Sequence, residues 1–221
     1  GRQKILCLHG GGGSQSSMQS TVADLTSAWG SQFDFVFGSA PYNEDATGAV
    51  WMRDAPGGKG AGTTDPDWAL DSVNYLNDLV ASQGPFYGIL GYSQGSAFIP
   101  VYLAQKAASV SFEVALMFNG YIPTTHSGLV SAIDQASPFG GIRSLVFMGA
   151  NDGIITNDMT QEQASKFTSP TVITDQVAGH HPPTTSHSTF NEVVSWLEGG
   201  GGGGGGPAPS PSPAPTPTPT P

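Results

Sequence analysis

Cysteine is almost missing from this chain: Cys7 is the only one in 221 residues. An internal disulfide is therefore excluded, and Cys7, set in a short apolar run, reads as a buried thiol. Positive charge is scarce too. Seven Lys and Arg against 17 Asp and Glu leave a formal net charge of -10. That balance argues against nucleic acid and against anionic membrane surfaces as partners. It also disfavours polyanionic substrates, an effect that salt weakens. No apolar run approaches the roughly 20 residues that a membrane-spanning helix needs. No leader segment is visible, and the chain begins almost directly on an apolar run, which leaves a truncated N-terminus open. The compartment stays open as well; the missing leader and disulfide lean toward the cytoplasm. His180 and His181 are adjacent and point in different directions, and no His-Glu-x-x-His spacing occurs, so no metal site is expected. Gly10 to Gly13 lack the following Lys-Ser or Lys-Thr pair, so a phosphate loop is a poor reading of them.

What is abundant is glycine and proline, and much of both sits at one end. Residues 199–206 are all glycine, and residues 207–221 hold only Pro, Ala, Ser and Thr. The glycines have no side chains to bury, and the second stretch suits an extended polyproline-type spacer. Residues 1–198 remain as one domain of ordinary size. The tail at 199–221 reads as a disordered linker, tethering a neighbouring domain, or as a solvated end with no partner.

Within 1–198, short apolar runs alternate with helical periodicity. Strands are expected at 4–8, 33–37, 86–90, 113–118, 143–148 and 171–177. Helices are expected at 14–29, 67–82, 96–105, 129–135, 157–167 and 188–198. Residues 39–67 form a long irregular stretch, and Pro100 should kink or interrupt its helix. Six strands alternating with helices predict a mainly parallel sheet covered on both faces, with no large inserted cap. Ligands in such sheets bind beyond the carboxyl ends of the strands.

The sequence centres on Gly91-Tyr92-Ser93-Gln94-Gly95, between an expected strand and an expected helix. This is the nucleophile-elbow pattern, in which glycines permit a tight turn and the serine hydroxyl stands clear of the sheet. Asp152 and His180 follow at later strand ends, in the Ser, Asp, His order of α/β-hydrolases. Ser93 would attack a carbonyl, His180 would move the proton, and Asp152 would orient the imidazole. The backbone N–H of Gln94 and that of Gly11 are the expected oxyanion donors. Rivals remain. Asn-Asp-Gly around Asp152 is also ordinary turn chemistry. Asp175 is a second acid, placed within a strand. His181 competes with His180, His187 less strongly, and His126 breaks the order. His9 reads as a brace for the glycine loop. Trp51 is a candidate wall of an acyl pocket, or a side chain tucked onto the core.

Several segments together resemble the FSH-type serine hydrolases: Leu6-Cys7-Leu8-His9-Gly10, Ser39-Ala40-Pro41 with Trp51 downstream, the Gly91–Ser96 elbow, Asn119-Gly120-Tyr121-Ile122-Pro123, and Gly179-His180 with Pro183. That family includes the fungal FSH proteins, the OVCA2-like hydrolases and the fungal thioesterases that release polyketides. The resemblance runs over about residues 4–198. It implies a compact α/β-hydrolase fold, no cofactor, and a small-molecule ester or thioester substrate with a short to medium acyl chain. It carries Ser93, Asp152 and His180 as catalytic residues and favours His180 over His181, because only His180 has proline three residues on. Tyr92, Tyr121 and Ile122 join Trp51 as expected pocket residues. The chain departs from the family at Gly11 to Gly13, where a bulky residue is usual, and at Ala178, where a second glycine is common. Acyl-protein thioesterases share a similar elbow but fit less well around the acid and histidine. A non-catalytic binding module on the same scaffold is the reading from another class.

Overall fold

The computed structural model describes residues 1–44, 48–106 and 111–199. The spacer expected at 199–221 lies outside the described residues from residue 200 on. Eight strands and seven helices occur among the described residues: β1 (Gln3–Leu8), α1 (Gln15–Thr21), α2 (Ala23–Trp29), β2 (Phe33–Phe37), β3 (Tyr42–Glu44), β4 (Gly48–Val50), α3 (Leu70–Gln83), β5 (Gly88–Tyr92), α4 (Gln94–Lys106), β6 (Val114–Phe118), α5 (Ser127–Ala136), β7 (Arg143–Gly149), α6 (Asn157–Ala164), β8 (Thr171–Asp175) and α7 (Phe190–Gly199).

Six strands form one sheet in the order β2-β1-β5-β6-β7-β8, and every pairing is parallel. Parallel neighbours require crossovers, so both faces are covered by helices. β1 shows how the pattern is read. Ile5 and Cys7 enter one core cluster with Met18, Trp29, Phe147 and Leu197. Leu6 and Leu8 enter the other, with Trp51, Leu76, Phe98 and Ile133. This is the alternation of a strand buried on both faces. Cys7 is wholly buried, and burial pushes its thiol far above the usual range. The chain runs from β1 outward to β2 and then returns to β5 on the far side of β1. The crevice at that reversal, beyond the strand ends, is where the glycine loop and the elbow meet.

Four local expectations change. The helix expected at 14–29 is two helices broken at Val22, which ends α1 and begins α2 with φ -108° and ψ 14°. Thr21 at the break bonds its hydroxyl to the Ser17 carbonyl, which competes with the helix ladder. The irregular stretch contains an antiparallel pair, β3 with β4, and Gly12 N–H donates to the Ala49 carbonyl at 2.8 Å, pinning that pair to the glycine loop. Asp175 closes β8 rather than lying inside it. Helix α4 runs through Pro100 without a break. Pro100 has no N–H for the Ser96 carbonyl. The buried amide of Gln163 donates to that carbonyl at 2.9 Å instead, so the group freed by proline is satisfied from α6.

Candidate active site

Ser93 stands between β5 and α4 with φ +52°, a left-handed conformation that few non-glycine residues adopt. Its N–H donates to the Phe118 carbonyl at 2.9 Å, fixing the turn to β6. The flanking glycines are steric requirements. A Cβ on Gly91 would lie 2.6 Å from the Gly95 backbone, and one on Gly95 would strike the carbonyl oxygens of Leu8 and His9. The elbow therefore closes only when both side chains are absent.

His180 Nε2 lies 3.0 Å from Ser93 Oγ, and His180 Nδ1 lies 2.7 Å from Asp152 Oδ2. The Asp152 side chain is 2% exposed. Its other oxygen, Oδ1, accepts the N–H groups of Ile154 and Ile155, both at 2.9 Å. Burial pushes the Asp152 carboxyl up, but the bond to His180 and these two N–H groups outweigh it and hold the group below its ordinary value. A carboxylate thus faces Nδ1, which fixes the tautomer with the proton on Nδ1 and the lone pair on Nε2 facing the serine.

The competing side chains are engaged elsewhere. His181 Nε2 accepts the Gly179 N–H at 3.3 Å, and its Nδ1 meets the Pro182 carbonyl. His187 Nδ1 accepts the Thr184 N–H at 3.0 Å. His126 bridges Thr125 and the Arg53 carbonyl. Asp175 holds a different loop, accepting the N–H groups of Val177 and Ala178 and the Thr189 hydroxyl.

The glycine loop passes over the serine. A Cβ on Gly10 would lie 3.5 Å from Ser93 Cβ, and one on Gly11 would lie 3.4 Å from Gln94 Cβ. Among the described residues, the N–H groups of Gly11 and Gln94 have no backbone acceptor, whereas those of Gly12 and Gly13 are used. His9 is fully buried beneath the loop. Its Nδ1 bonds the Gly10 carbonyl at 2.7 Å, and its Nε2 accepts the Ala40 N–H at 3.0 Å. With one nitrogen donating and the other accepting, His9 is neutral. Burial pushes its pKa down, against a smaller upward pull from the Gly10 bond.

Trp51 corrects an expectation. It does not line a pocket: its side chain is 0% exposed. It stacks on Phe98 at 5.8 Å and 15°, lies 5.2 Å from the His9 ring, and donates its indole N–H to the His9 carbonyl at 2.8 Å. The loop after β4 folds back so far that the ring becomes core beneath the glycine loop. Ile122 is buried in the same cluster, 3% exposed. Tyr121 is partly exposed, and burial, helped by the charge of Asp54, pushes its hydroxyl up to about 12. Tyr92 is partly exposed beside His180, with ring centroids 5.2 Å apart.

Four side chains support the site through contacts that the sequence does not assign to them. Tyr92 donates its hydroxyl to the His180 carbonyl at 2.6 Å, and burial with the nearby Asp152 charge pushes that phenol up to about 12. Asn119, at φ +53°, donates its amide to Asp152 Oδ2 at 3.3 Å and to the Gly179 carbonyl at 3.4 Å. The side chain of Gln94 accepts the Trp51 N–H at 2.7 Å and donates to the Met52 carbonyl at 3.0 Å, tying the loop to the elbow. Gln163 joins α6 to α4, as described above. Asn119-Gly120 at a strand end was the only visible hint, since Asn tolerates positive φ. Among the described residues, no group of three or more His, Cys, Asp or Glu side chains could hold a metal ion. No helix among them is long and apolar enough to cross a membrane.

The family model for FSH1 serine hydrolases matches residues 1–191. Esterase GA18864 of Drosophila pseudoobscura pseudoobscura is 28% identical over 198 residues, covering 83% of this chain and 67% of that protein. Esterase FUS5 of Gibberella moniliformis is 26% identical, covering 85% and 83%. In three dimensions the chain is similar to Arabidopsis thaliana SOBER1, with TM-score 0.64, 22% identity, and coverage of 90% and 98%. It is also similar to Zea mays acyl-protein thioesterase 2, with TM-score 0.63, 18% identity, and coverage of 91% and 94%. At these identities the two structures speak to the fold alone, which is that of an α/β-hydrolase.

Proposed function

Because the chain belongs to the FSH1 serine hydrolase family and is an esterase-type hydrolase, we propose that Ser93, His180 and Asp152 are its catalytic residues and that it cleaves small carboxylic esters and thioesters through an acyl-enzyme. One observation carries this reading: a single imidazole bridges Ser93 Oγ at 3.0 Å and Asp152 Oδ2 at 2.7 Å.

The chemistry follows from the geometry. His180 Nε2 takes the Ser93 proton as Oγ attacks the acyl carbon, and Asp152 stabilises the imidazolium. Negative charge develops on the former carbonyl oxygen. The N–H groups of Gln94 and Gly11 would receive it, since both flank Ser93 and neither is bonded within the backbone. Losing one such donor costs about 10²–10³ in kcat in a comparable site. Collapse expels the alcohol or thiol, which takes the proton from His180, and water then releases the acid by the same route. We place short to medium acyl chains in this class of substrate, and read residues 199–221 as a spacer to a neighbouring domain.

A panel of oxygen esters and matched thioesters of increasing acyl length tests this. The expected result is turnover of a subset, lost in Ser93→Ala. Turnover retained in a correctly folded Ser93→Ala protein would overturn it, and a ligand bound tightly and recovered unchanged would favour a binding module.

A further inference from the structure

A pocket of about 230 Å³ opens between the glycine loop and α1, walled by Gly10 to Gly13, Ser17, Met18, Thr21 and Tyr92. It meets the triad through two of its walls, Tyr92 and Gly10. Tyr92 forms one wall of the pocket, and its ring also lies 5.2 Å from the His180 ring. Gly10 joins the pocket to the serine: a Cβ there would lie 3.2 Å from the Tyr92 ring and 3.5 Å from Ser93 Cβ. The Gln94 side chain, by contrast, is bonded to the backbone of Trp51 and Met52.

We propose that this pocket receives the alcohol or thiol leaving group and selects an uncharged one; the assignment rests on the hydrolase reading above. Proton transfer sets the side. When the tetrahedral intermediate collapses, the carbon–oxygen or carbon–sulfur bond breaks and its electron pair leaves on that heteroatom. The proton held by His180 Nε2 passes to it, and the acyl group stays on Ser93. The departing atom must therefore stand within reach of His180 Nε2, and the rest of the leaving group extends into this pocket, which shares the Tyr92 ring with His180 and Gly10 with Ser93.

Hydrogen bonding sets the charge. The Tyr92 hydroxyl is already donated to the His180 carbonyl at 2.6 Å, that of Thr21 to the Ser17 carbonyl at 2.8 Å, and that of Ser17 to the Ser14 carbonyl at 3.0 Å. The N–H groups of Gly12 and Gly13 are committed to the carbonyls of Ala49 and Gly10. No Lys or Arg lines the pocket. The walls thus offer lone pairs, a thioether and an aromatic face, with no cation and no uncommitted hydroxyl proton. An anion entering there would find no cation to pair with, and the Gly11 N–H at the wall is the one assigned to the oxyanion, so shedding its water is unfavourable. The net charge of -10 adds to the penalty.

Thr21 is the residue to change, because its partly exposed side chain lies at the pocket wall on a helix surface. Thr21→Trp and Thr21→Ala are assayed on two series: one acyl group with leaving groups of increasing size, and one leaving group with acyl groups of increasing length. Thr21→Trp should lower kcat/KM for the largest leaving group at least tenfold relative to the methyl ester, Thr21→Ala should shift the ratio the other way, and the acyl series should keep its profile. A shift confined to the acyl series, or no shift in either variant, overturns the assignment. In the wild type, a thioester of N-acetylcysteamine should exceed the matched thioester of 3-mercaptopropionate at least tenfold; parity or reversal overturns the charge selection. Circular dichroism establishes that each variant is folded. Hydrolysis surviving in Ser93→Ala would instead remove the hydrolase reading itself, so the two failures are distinct.

Discussion

Asp152 and Asp175 hold the same posture just beyond and at the ends of adjacent strands. Each is buried. Each uses Oδ1 to accept the N–H groups two and three residues on: Ile154 and Ile155 for Asp152, Val177 and Ala178 for Asp175. They part at the second oxygen. Oδ2 of Asp152 faces His180 at 2.7 Å, whereas that of Asp175 accepts the Thr189 hydroxyl at 2.6 Å. One carboxylate orients the imidazole, and the other holds the start of the loop that carries it.

The two substitutions should therefore separate. Asp152→Asn leaves the shape but presents an amide to Nδ1, so kcat should fall by roughly 10³–10⁴ with stability changed far less. Asp175→Asn weakens the loop anchor, which should cost about 1–3 kcal/mol. Urea unfolding and steady-state kinetics on both variants distinguish the cases. Equal kinetic damage in the two would contradict the division of roles.

Both carboxyls are held below their ordinary values. In each, burial pushes upward, but hydrogen bonds outweigh it, from His180, Ile155 and Ile154 to Asp152 and from Thr189, Val177 and Ala178 to Asp175. A depressed folded value means the unfolded chain takes up the proton first as pH falls. This stability is present above the unfolded carboxylate value of about 3.9 and is lost as pH falls below it toward the folded values. His9, depressed by burial, adds a separate loss that begins near its unfolded value of about 6.5. Unfolding free energy against pH should show both windows. His9→Gln should remove the upper one and Asp175→Asn should shrink the lower.

Tyr92→Phe deletes one hydroxyl and keeps the ring against His180. The lost bond is of a kind that contributes about 0.5–1.5 kcal/mol. A fall in kcat of roughly 2- to 12-fold, with the same thioester binding, is expected from steady-state kinetics. An unchanged kcat would mean that this bond does not position the histidine.

Gln163→Leu should be costly although it lies outside the reacting groups. It strips the donor from the Ser96 carbonyl that Pro100 leaves free, in a fully buried place. A loss of about 1–3 kcal/mol follows for an unsatisfied buried acceptor. In thermal unfolding that is a fall of roughly 2–12 °C for a chain of this size. Restoring an N–H with Pro100→Ala in the same protein should recover part of it.

These cases also show where the sequence was legible. The elbow, the glycine loop and the loops bearing Asp152 and His180 are local signals, each written into a few residues at a strand end. The sheet followed from apolar runs bounded by turn residues. Trp51 was harder because its fate depends on a loop folding back over β1 and α4, and an aromatic side chain in a loop reads the same whether it meets substrate or core. Gln163 and Pro100 are 63 residues apart, and only the packing of α6 on α4 explains how one completes the other. Asp175 turned on a strand boundary, the least certain feature of any periodic pattern. The β3–β4 pair was hidden because its two strands have three residues each.

If Ser93 is the nucleophile, it carries the acyl group between the two half-reactions. The most direct measurement is intact-mass and peptide-mapping spectrometry on protein quenched during turnover of a slow ester, or after treatment with a fluorophosphonate. The added mass is expected on the peptide holding Ser93, absent in Ser93→Ala and slow to form in His180→Ala. A stable adduct on another residue, or ester turnover with Ser93 unmodified, would contradict it.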